Sequence, residues 1–369
     1  MAKKVLFTAS TFSHIAHFHR PYLRAFADLG WTVDVACGGP RAHIPEARRS
    51  IDLPFRKSIS ALANLSAQRM LRRELLAGDY DLISTHTSLA AFFTRRAAAG
   101  LGARVVNTCH GYLFDGATAP AKRLLLLSAE RLTARRTDLL LTMNQWDLEL
   151  ARRCRLGRTV RLIPGMGVDF APLDACPPQA GADLRGRLGL PKDAFLLLYP
   201  AEFSPRKSQE TLIRALALLP ERVCLLLPGQ GALLERCETL ARELGLAHRI
   251  RFPGYIANMA PWYRAAHCAV ASSRSEGLPF NVMEAMAAGL PVVASAVKGH
   301  TDLVCEGETG FLFPYGDSAA CAQRVSALLE DPALRARMGE AGAAASDRYA
   351  LNRVLPQVMD AYRDLLGSL

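Results

Sequence analysis

"FLLLYPAEFSPRKSQETLIRALALLPERVCLLLP", residues 195–228, contains one complete folding unit. A wholly apolar run opens it, helix-period sequence over 208–219 follows a loop with two prolines, and a second apolar run occupies 222–228. Strands that are apolar on both faces and separated by a helix are parallel strands covered on both sides.

The same alternation continues in both directions. Toward the C-terminus the pattern predicts a helix over 232–245, strands over 249–252 and 267–271, a helix over 280–289, a strand over 291–295, and helices to the end. The last helix, about 350–367, carries Leu351, Val354, Leu355, Val358, Met359, Tyr362, Leu365 and Leu366 at helical spacing, and Pro356 is expected to kink it. Toward the N-terminus strands are predicted at 4–9, 31–37, 80–85, 103–108, 137–143 and 159–164. A helix over 18–29 would bury Phe18, Tyr22, Leu23, Phe26 and Leu29 between the first two. The Pro- and Gly-rich segment 174–195 breaks the rhythm, and the linker is placed near its beginning. The expected architecture is α/β, with two doubly wound Rossmann-like domains facing each other across a cleft. Residues 1–173 form one, 174–349 the other, and the helix 350–369 packs back toward the first. Chemistry belongs in the loops that follow strands.

Composition narrows the class. Half of the 369 residues are hydrophobic and 21% charged, which fits a globular chain throughout. Nine scattered cysteines form no paired motif and read as reduced thiols of a cytosolic protein. No run approaches the ~20 apolar residues that cross a bilayer, so any membrane contact is peripheral, at the inner face. The net charge of +11 is uneven: residues 1–170 hold 25 Lys and Arg against 13 Asp and Glu, residues 171–369 hold 20 against 21. A basic half suits a phosphate-bearing partner or an anionic membrane; arginine-rich solvated helix faces would give the same count. Nucleic acid is not among the expected partners.

Two loops of the second half carry the chemistry. In "AEFSPRKSQETLIRAL" Ser208 is the expected N-cap, which puts Arg206 and Lys207 just before the positive end of a helix. Cations there cost roughly 0.3–1 kcal/mol each, and a bound anion would reverse the sign, so the stretch reads as a diphosphate site. In "SRSEGLPFNVMEAMAAGLPVV", residues 273–293, Pro279 and Asn281 mark a helix start, and the free backbone N–H groups around Leu278 to Val282, with Phe280 and Asn281 between, offer a second anion cradle. Glu284, about a turn inside, suits the vicinal diol of a ribose. Glu276, in the loop ahead, suits hydroxyls of a second sugar. Each acid alone would also serve as a favourable partner of the helix dipole.

"EGLPFNVMEAMAAGLPVVAS", with Glu276, Gly277 and Glu284, resembles the E-x7-E segment of the retaining glycosyltransferases of family 4, whose architecture is called GT-B. "AEFSPRKSQETLIRA" is similar to the family's donor-phosphate loop, and "RFPGYIANMAPWYRAAHCAVASS" to the segment where Tyr255 and Ile256 would touch the nucleobase. The resemblance spans essentially the whole chain and is strongest from about 195 to 315. In "FTASTFSHIAHFHRPYLRAF" it implies a cleft loop, here with Ser13, His14 and His17, that departs from the family's common Gly-Gly. Three histidines in six residues match no standard zinc spacing, and no metal or other cofactor is expected. In "VVNTCHGYLFDG" Cys109 is expected in the core, and the resemblance puts His110 beside the transferred sugar. The helix "AKRLLLLSAERLTARR" resembles the capsule and exopolysaccharide subset. It suits a lipid-linked acceptor, although a core helix with an arginine-rich outer face fits as well.

The resemblance implies a retaining hexosyltransferase that moves a sugar from a nucleoside diphosphate sugar, a UDP-sugar, to a glycan or polyprenyl-linked acceptor. Front-face attack would let the leaving phosphate take the acceptor's proton, with Arg206, Lys207, Glu276 and His110 as catalytic residues. A nucleotide-sugar 2-epimerase of the same architecture would need its own acid and base, and an idle binding subunit would be expected to lose Glu276 or the Arg-Lys pair.

Overall fold

The computed structural model describes residues 2–56, 62–191 and 193–367. Its chain divides into two compact units, Met1–Gly167 with Asn352–Leu369, and Val168–Leu351. The C-terminal segment thus belongs with the first unit, and the change of unit falls six residues ahead of the expected boundary.

The first unit is built on seven strands: β1 Lys4–Ala9, β2 Thr32–Cys37, β3 Arg49–Asp52, β4 Leu82–His86, β5 Arg104–Cys109, β6 Leu139–Thr142 and β7 Thr159–Leu162. They form one sheet in the order β3-β2-β1-β4-β5-β6-β7, every pair parallel. In the second unit β8 Phe195–Leu198, β9 Val223–Leu226, β10 Ile250–Arg251, β11 Cys268–Ala271, β12 Val292–Ser295 and β13 Gly310–Phe313 are ordered β10-β9-β8-β11-β12-β13, again all parallel. Side chains of β4, β6, β8, β9, β11 and β12 are buried on both faces; five of these strands are apolar through all or nearly all of their length, while β4 also buries Ser84, Thr85 and His86. Strand order reverses between β1 and β4 in one sheet and between β8 and β11 in the other. Loops that leave the carboxyl ends of strands at such a reversal leave an open crevice where ligands bind.

Four readings of the sequence are corrected. The predicted helix 18–29 is two helices, Phe12–Phe18 and Arg20–Asp28, broken at His19. Pro21 explains the break, since its ring would clash with the carbonyl four residues back in a continuous helix. Strand β3 escaped notice because "RSID" lies at a sheet edge and alternates no apolar face. Strand β13 was read as helix, yet a Cβ at Gly310 would stand 2.0 Å from the carbonyl oxygen of Val292 on the neighbouring strand. The segment 174–195, near whose beginning the linker was expected, follows the short helix Ala171–Asp174 and holds the helix Ala180–Arg187. The second is pressed against the helix Ala260–Ala265, where a Cβ at Gly181 would meet the Arg264 carbonyl at 2.6 Å.

The C-terminal helix Leu351–Leu366 includes Pro356 and buries Val354, Val358, Met359, Ala361 and Tyr362. Tyr362 lies edge-on to Phe26, ring centroids 5.3 Å apart. A second buried device joins the helices Ser88–Ala97 and Pro120–Ala134. The fully buried Arg95 donates from Nη2 to Glu130 Oε2 at 2.9 Å and from Nε to the Ala91 carbonyl at 3.0 Å.

Candidate active site

In the second unit the loops after β8 and β11 meet. Arg206 Nη1 donates to Glu276 Oε2 at 2.5 Å, and Lys207 Nζ donates to Glu276 Oε1 at 2.6 Å. The cations expected to hold phosphate and the acid expected to hold sugar are therefore partners of one another, an arrangement that spacing alone did not suggest. The loop is held by its backbone. Ser272 Oγ donates to the carbonyls of both Lys207 and Ser208 at 2.9 Å, Tyr199 O–H donates to the Lys207 carbonyl at 3.2 Å, and Asn281 Nδ2 donates to the Pro200 carbonyl at 3.0 Å. Ser208 does occupy the N-cap of the helix Gln209–Leu216, but its side chain caps no backbone N–H. It contacts Thr211 Oγ1 at 3.1 Å, and its φ of 52° is left-handed. Such a φ is strained for a non-glycine residue, and strain of this kind gathers at functional loops.

A glycine pair and a single glycine that the sequence reading passed over shape the same site. A Cβ at Gly229 or Gly231 would stand 2.0 Å and 2.3 Å from the carbonyl oxygens of Ala201 and Phe203, so the β9 loop packs backbone to backbone on the Arg206 loop. Gly299, φ +84°, lies where a Cβ would come 2.8 Å from the Glu276 Cβ. The signals were a Gly-x-Gly directly after a strand and a Lys-Gly-His after another. His300 sits behind Glu276 with Nδ1 2.9 Å from the Ser295 carbonyl oxygen, and burial, only partly opposed by Glu276, brings it down to about 4.

Burial alone would raise the Glu276 carboxyl; Lys207 first and Arg206 next overcome it and hold it at about 2. Lys207 fares differently, because desolvation lowers its ammonium by more than Glu276 restores. Glu276 faces two cations, Arg206 and Lys207, and its direction follows from both. A carboxyl depressed on folding stabilises the fold above its unfolded pKa and loses that contribution as the pH falls through the folded one. Urea midpoints are thus expected to lose the Glu276 share progressively from its ordinary 4.5 down toward pH 2, in the wild type and not in Glu276→Gln.

Glu284 lies one turn inside the helix Phe280–Ala287, whose N-cap Pro279 makes no side-chain cap. Its Oε2 accepts from the Tyr263 hydroxyl at 2.7 Å. Burial raises the Glu284 carboxyl, and the Tyr263 bond partly offsets the rise. Around this helix start Leu278, Pro279 and Val282 are buried, while Gly277, Phe280 and Asn281 are half-buried. Tyr255 is 66% exposed and Ile256 half-buried, in the stretch after β10.

The first unit gathers histidines at its own strand reversal. His14 and His19 follow β1, His86 ends β4 and His110 follows β5. His14 Nε2 is 3.2 Å from His19 Nε2, and His86 Nδ1 is 3.3 Å from His110 Nε2. His86 Nε2 continues to Ser84 Oγ at 3.1 Å, and that oxygen to the Tyr362 hydroxyl at 2.7 Å. Burial, and then the neighbouring imidazoles, push His19, His86 and His110 well below their ordinary value and His14 to about 4. Of the expected loop residues only His14 joins this group. Ser13 and His17 are exposed, with His17 Nδ1 bound to the Ser13 carbonyl at 2.6 Å. His86, the last residue of β4, stands one position beyond the predicted strand 80–85 and no motif marked it; Cys109 is buried, as expected.

Residues 22–170 match the family described as Glycosyltransferase Family 4, and residues 182–345 match that described as Glycosyl transferases group 1. EpsD of Bacillus subtilis, which carries the name of a glycosyltransferase, is 34% identical over 98% of this chain and 97% of its own. The phosphatidyl-myo-inositol mannosyltransferase of Mycobacterium leprae is 31% identical over 90% of this chain and 88% of its own. Among solved structures, sucrose-phosphate synthase of Thermosynechococcus elongatus superimposes with a TM-score of 0.83 at 27% identity, covering 99% of both chains. Anabaena Alr3699/HepE in complex with UDP and glucose superimposes with 0.82 at 22% identity, over 98% of this chain and 100% of that one, and shares the fold. With two parallel Rossmann-like sheets and a relative of this identity over nearly its full length, the chain belongs to the family 4 glycosyltransferases of GT-B architecture.

Proposed function

We propose that this glycosyltransferase moves a sugar from a UDP-sugar to a glycan or polyprenyl-linked acceptor of surface polysaccharide synthesis, with retention at the anomeric carbon and without a metal. The observation that carries the reading is the joint placement of Arg206, Lys207 and Glu276 in the loops that lead to the helix Phe280–Ala287, whose N-cap Pro279 makes no side-chain cap. That the same fold holds UDP and glucose in the Anabaena protein favours uridine, and the lipid substrate in the mycobacterial relative's name favours a lipid-linked acceptor. Arg206, Lys207 and the 278–282 amides would meet the diphosphate as it gains charge. Glu284 would accept from the ribose hydroxyls, Glu276 from the transferred sugar, and Tyr255 and Ile256 would border the base. The bond from the anomeric carbon to the diphosphate breaks as the acceptor oxygen attacks from the same face, and the acceptor's proton passes to the departing phosphate oxygen. His110 contacts the sugar in this scheme, with Ser13, His14 and His17 serving the acceptor. Work at the cytoplasmic face, with peripheral contact through the helix Pro120–Ala134, completes it; Leu124, Leu125 and Leu132 of that helix are 62–63% exposed beside Lys122 and Arg131. Among the described residues no helix is long and apolar enough to cross a membrane.

UDP release from a panel of UDP-sugars, with and without a polyprenyl-linked acceptor, tests the reading. Acceptor-dependent release with a product of unchanged anomeric configuration supports it. Release without acceptor and with an inverted sugar carbon identifies an epimerase, and no turnover with intact binding identifies a binding subunit. Tyr263→Phe is expected to weaken UDP binding about tenfold, because the phenol fixes the Glu284 carboxylate and favours its charged form. Calorimetric titration with UDP checks this.

A further inference from the structure

The histidine group has a second use that does not depend on the transfer reaction. His14, His19 and His110 each offer one nitrogen, and these three atoms lie within 4.8 Å of one another. The rings come from different parts of the unit: two from the pair of helices broken at Pro21 and one from the loop after β5.

Two features make this a ligand set and not merely a crowded core. His110 is oriented from behind: its Nε2 faces His86 Nδ1, which the Ser84 and Tyr362 hydroxyls hold in turn. Metal-binding histidines are commonly fixed in this way by a bond from the other ring nitrogen. The His19 Nδ1 is fully buried and makes no hydrogen bond, so this ring's tautomer is not committed by the fold.

Distances agree with a tetrahedral ion. Nitrogens bound at about 2.0–2.1 Å lie about 3.3 Å apart around such a centre, and His14 Nε2 and His19 Nε2 are 3.2 Å apart already. Closing a separation of 4.8 Å to that spacing needs a shift of about 1.5 Å, shared between the half-buried His14 and His110 rings.

We propose that His14, His19 and His110 form a site for one borderline divalent transition metal of the zinc class, tying the loop after β1 to the loop after β5. Three imidazoles with a fourth position left to solvent are a donor set for Zn²⁺, Co²⁺ or Ni²⁺ rather than for Mg²⁺ or Ca²⁺, which take oxygen ligands.

The test uses the full-length chain without an affinity tag, stripped with a chelator, then titrated with Co²⁺ in the visible and with Zn²⁺ against a chromophoric competitor. One equivalent per chain is expected, with a rise in melting temperature on Zn²⁺ addition. His14→Gln, His19→Gln and His110→Gln should each weaken binding at least a hundredfold, and His86→Gln about tenfold through loss of orientation. His43→Gln and His248→Gln, both on exposed rings, should bind as the wild type does. Should His19→Gln fail to fold, the half-buried His14 carries the test alone. Less than half an equivalent bound, or binding that survives the His14 and His110 substitutions, overturns the site. His14 and His110 also appear in the proposed transfer scheme, so the outcome is read from metal binding and melting temperature and not from activity; the donor-phosphate reading, carried by Arg206, Lys207 and Glu276 of the second unit, stands or falls by its own UDP-release test.

Discussion

Replacing Arg206 and Lys207 together by glutamine is expected to lower turnover at least a thousandfold, with UDP-sugar still bound. Charge grows on the diphosphate as the glycosidic bond breaks, so donors fixed around it act mainly on the transition state. Loss of a single such donor costs about 10²–10³ in kcat. The two cations are fixed before any substrate arrives: both are committed to Glu276, and the carbonyls of Lys207 and Ser208 are tied to Ser272. A diphosphate therefore competes with a carboxylate for groups that are already aimed, and reorganisation on binding is small. The double variant also strands Glu276, buried and with a carboxyl then free to rise, so some loss of stability accompanies the loss of activity. Adding Glu276→Gln separates the two effects: the triple variant should regain melting temperature and remain inactive. Steady-state UDP release with product analysis provides the measurement, and full turnover by the double variant would refute the proposed mechanism.

The largest stability effect is expected away from this site. Glu130→Ala should cost about 3–5 kcal/mol in urea unfolding, because it leaves the Arg95 guanidinium, fully buried, without its counter-charge. Nε keeps the Ala91 carbonyl, and the long Nη1 contact to Thr137 at 3.4 Å is too weak to replace a carboxylate. Arg95→Met combined with Glu130→Leu removes both charges and should recover most of the loss, since an apolar pair of similar volume has no buried charge to compensate. The double-mutant cycle reads the coupling directly. Comparable losses in the single and the paired variant would show that packing, not the ion pair, holds these helices together.

Much of the architecture was legible because most of the parallel strands buried on both faces are apolar through nearly their whole length, β4 with its buried Ser84, Thr85 and His86 being an exception. "FLLLYP" and "VCLLLP" admit few other readings, and each lies in a strand of the second sheet. The E-x7-E stretch was legible for a related reason: a helix start following a strand places Glu276 in the loop and Glu284 one turn on, whatever surrounds them. Elements without such a local constraint were lost. β3 and β13 are short edge strands whose identity comes from the neighbours they pair with, and the break at His19 depends on where Pro21 falls within a pattern that otherwise reads as one helix.

Sequence alone determined the residue types available for chemistry and the strand ends that carry them, since periodicity and chain order are local properties. Tertiary structure alone decided who faces whom. Arg206 and Glu276 are 70 positions apart, Ser84 and Tyr362 are 278 apart, and four histidines from three separate stretches of chain meet in one group. Such meetings depend on strand order and on the desolvation that packing imposes, and neither is encoded in the spacing of neighbouring residues.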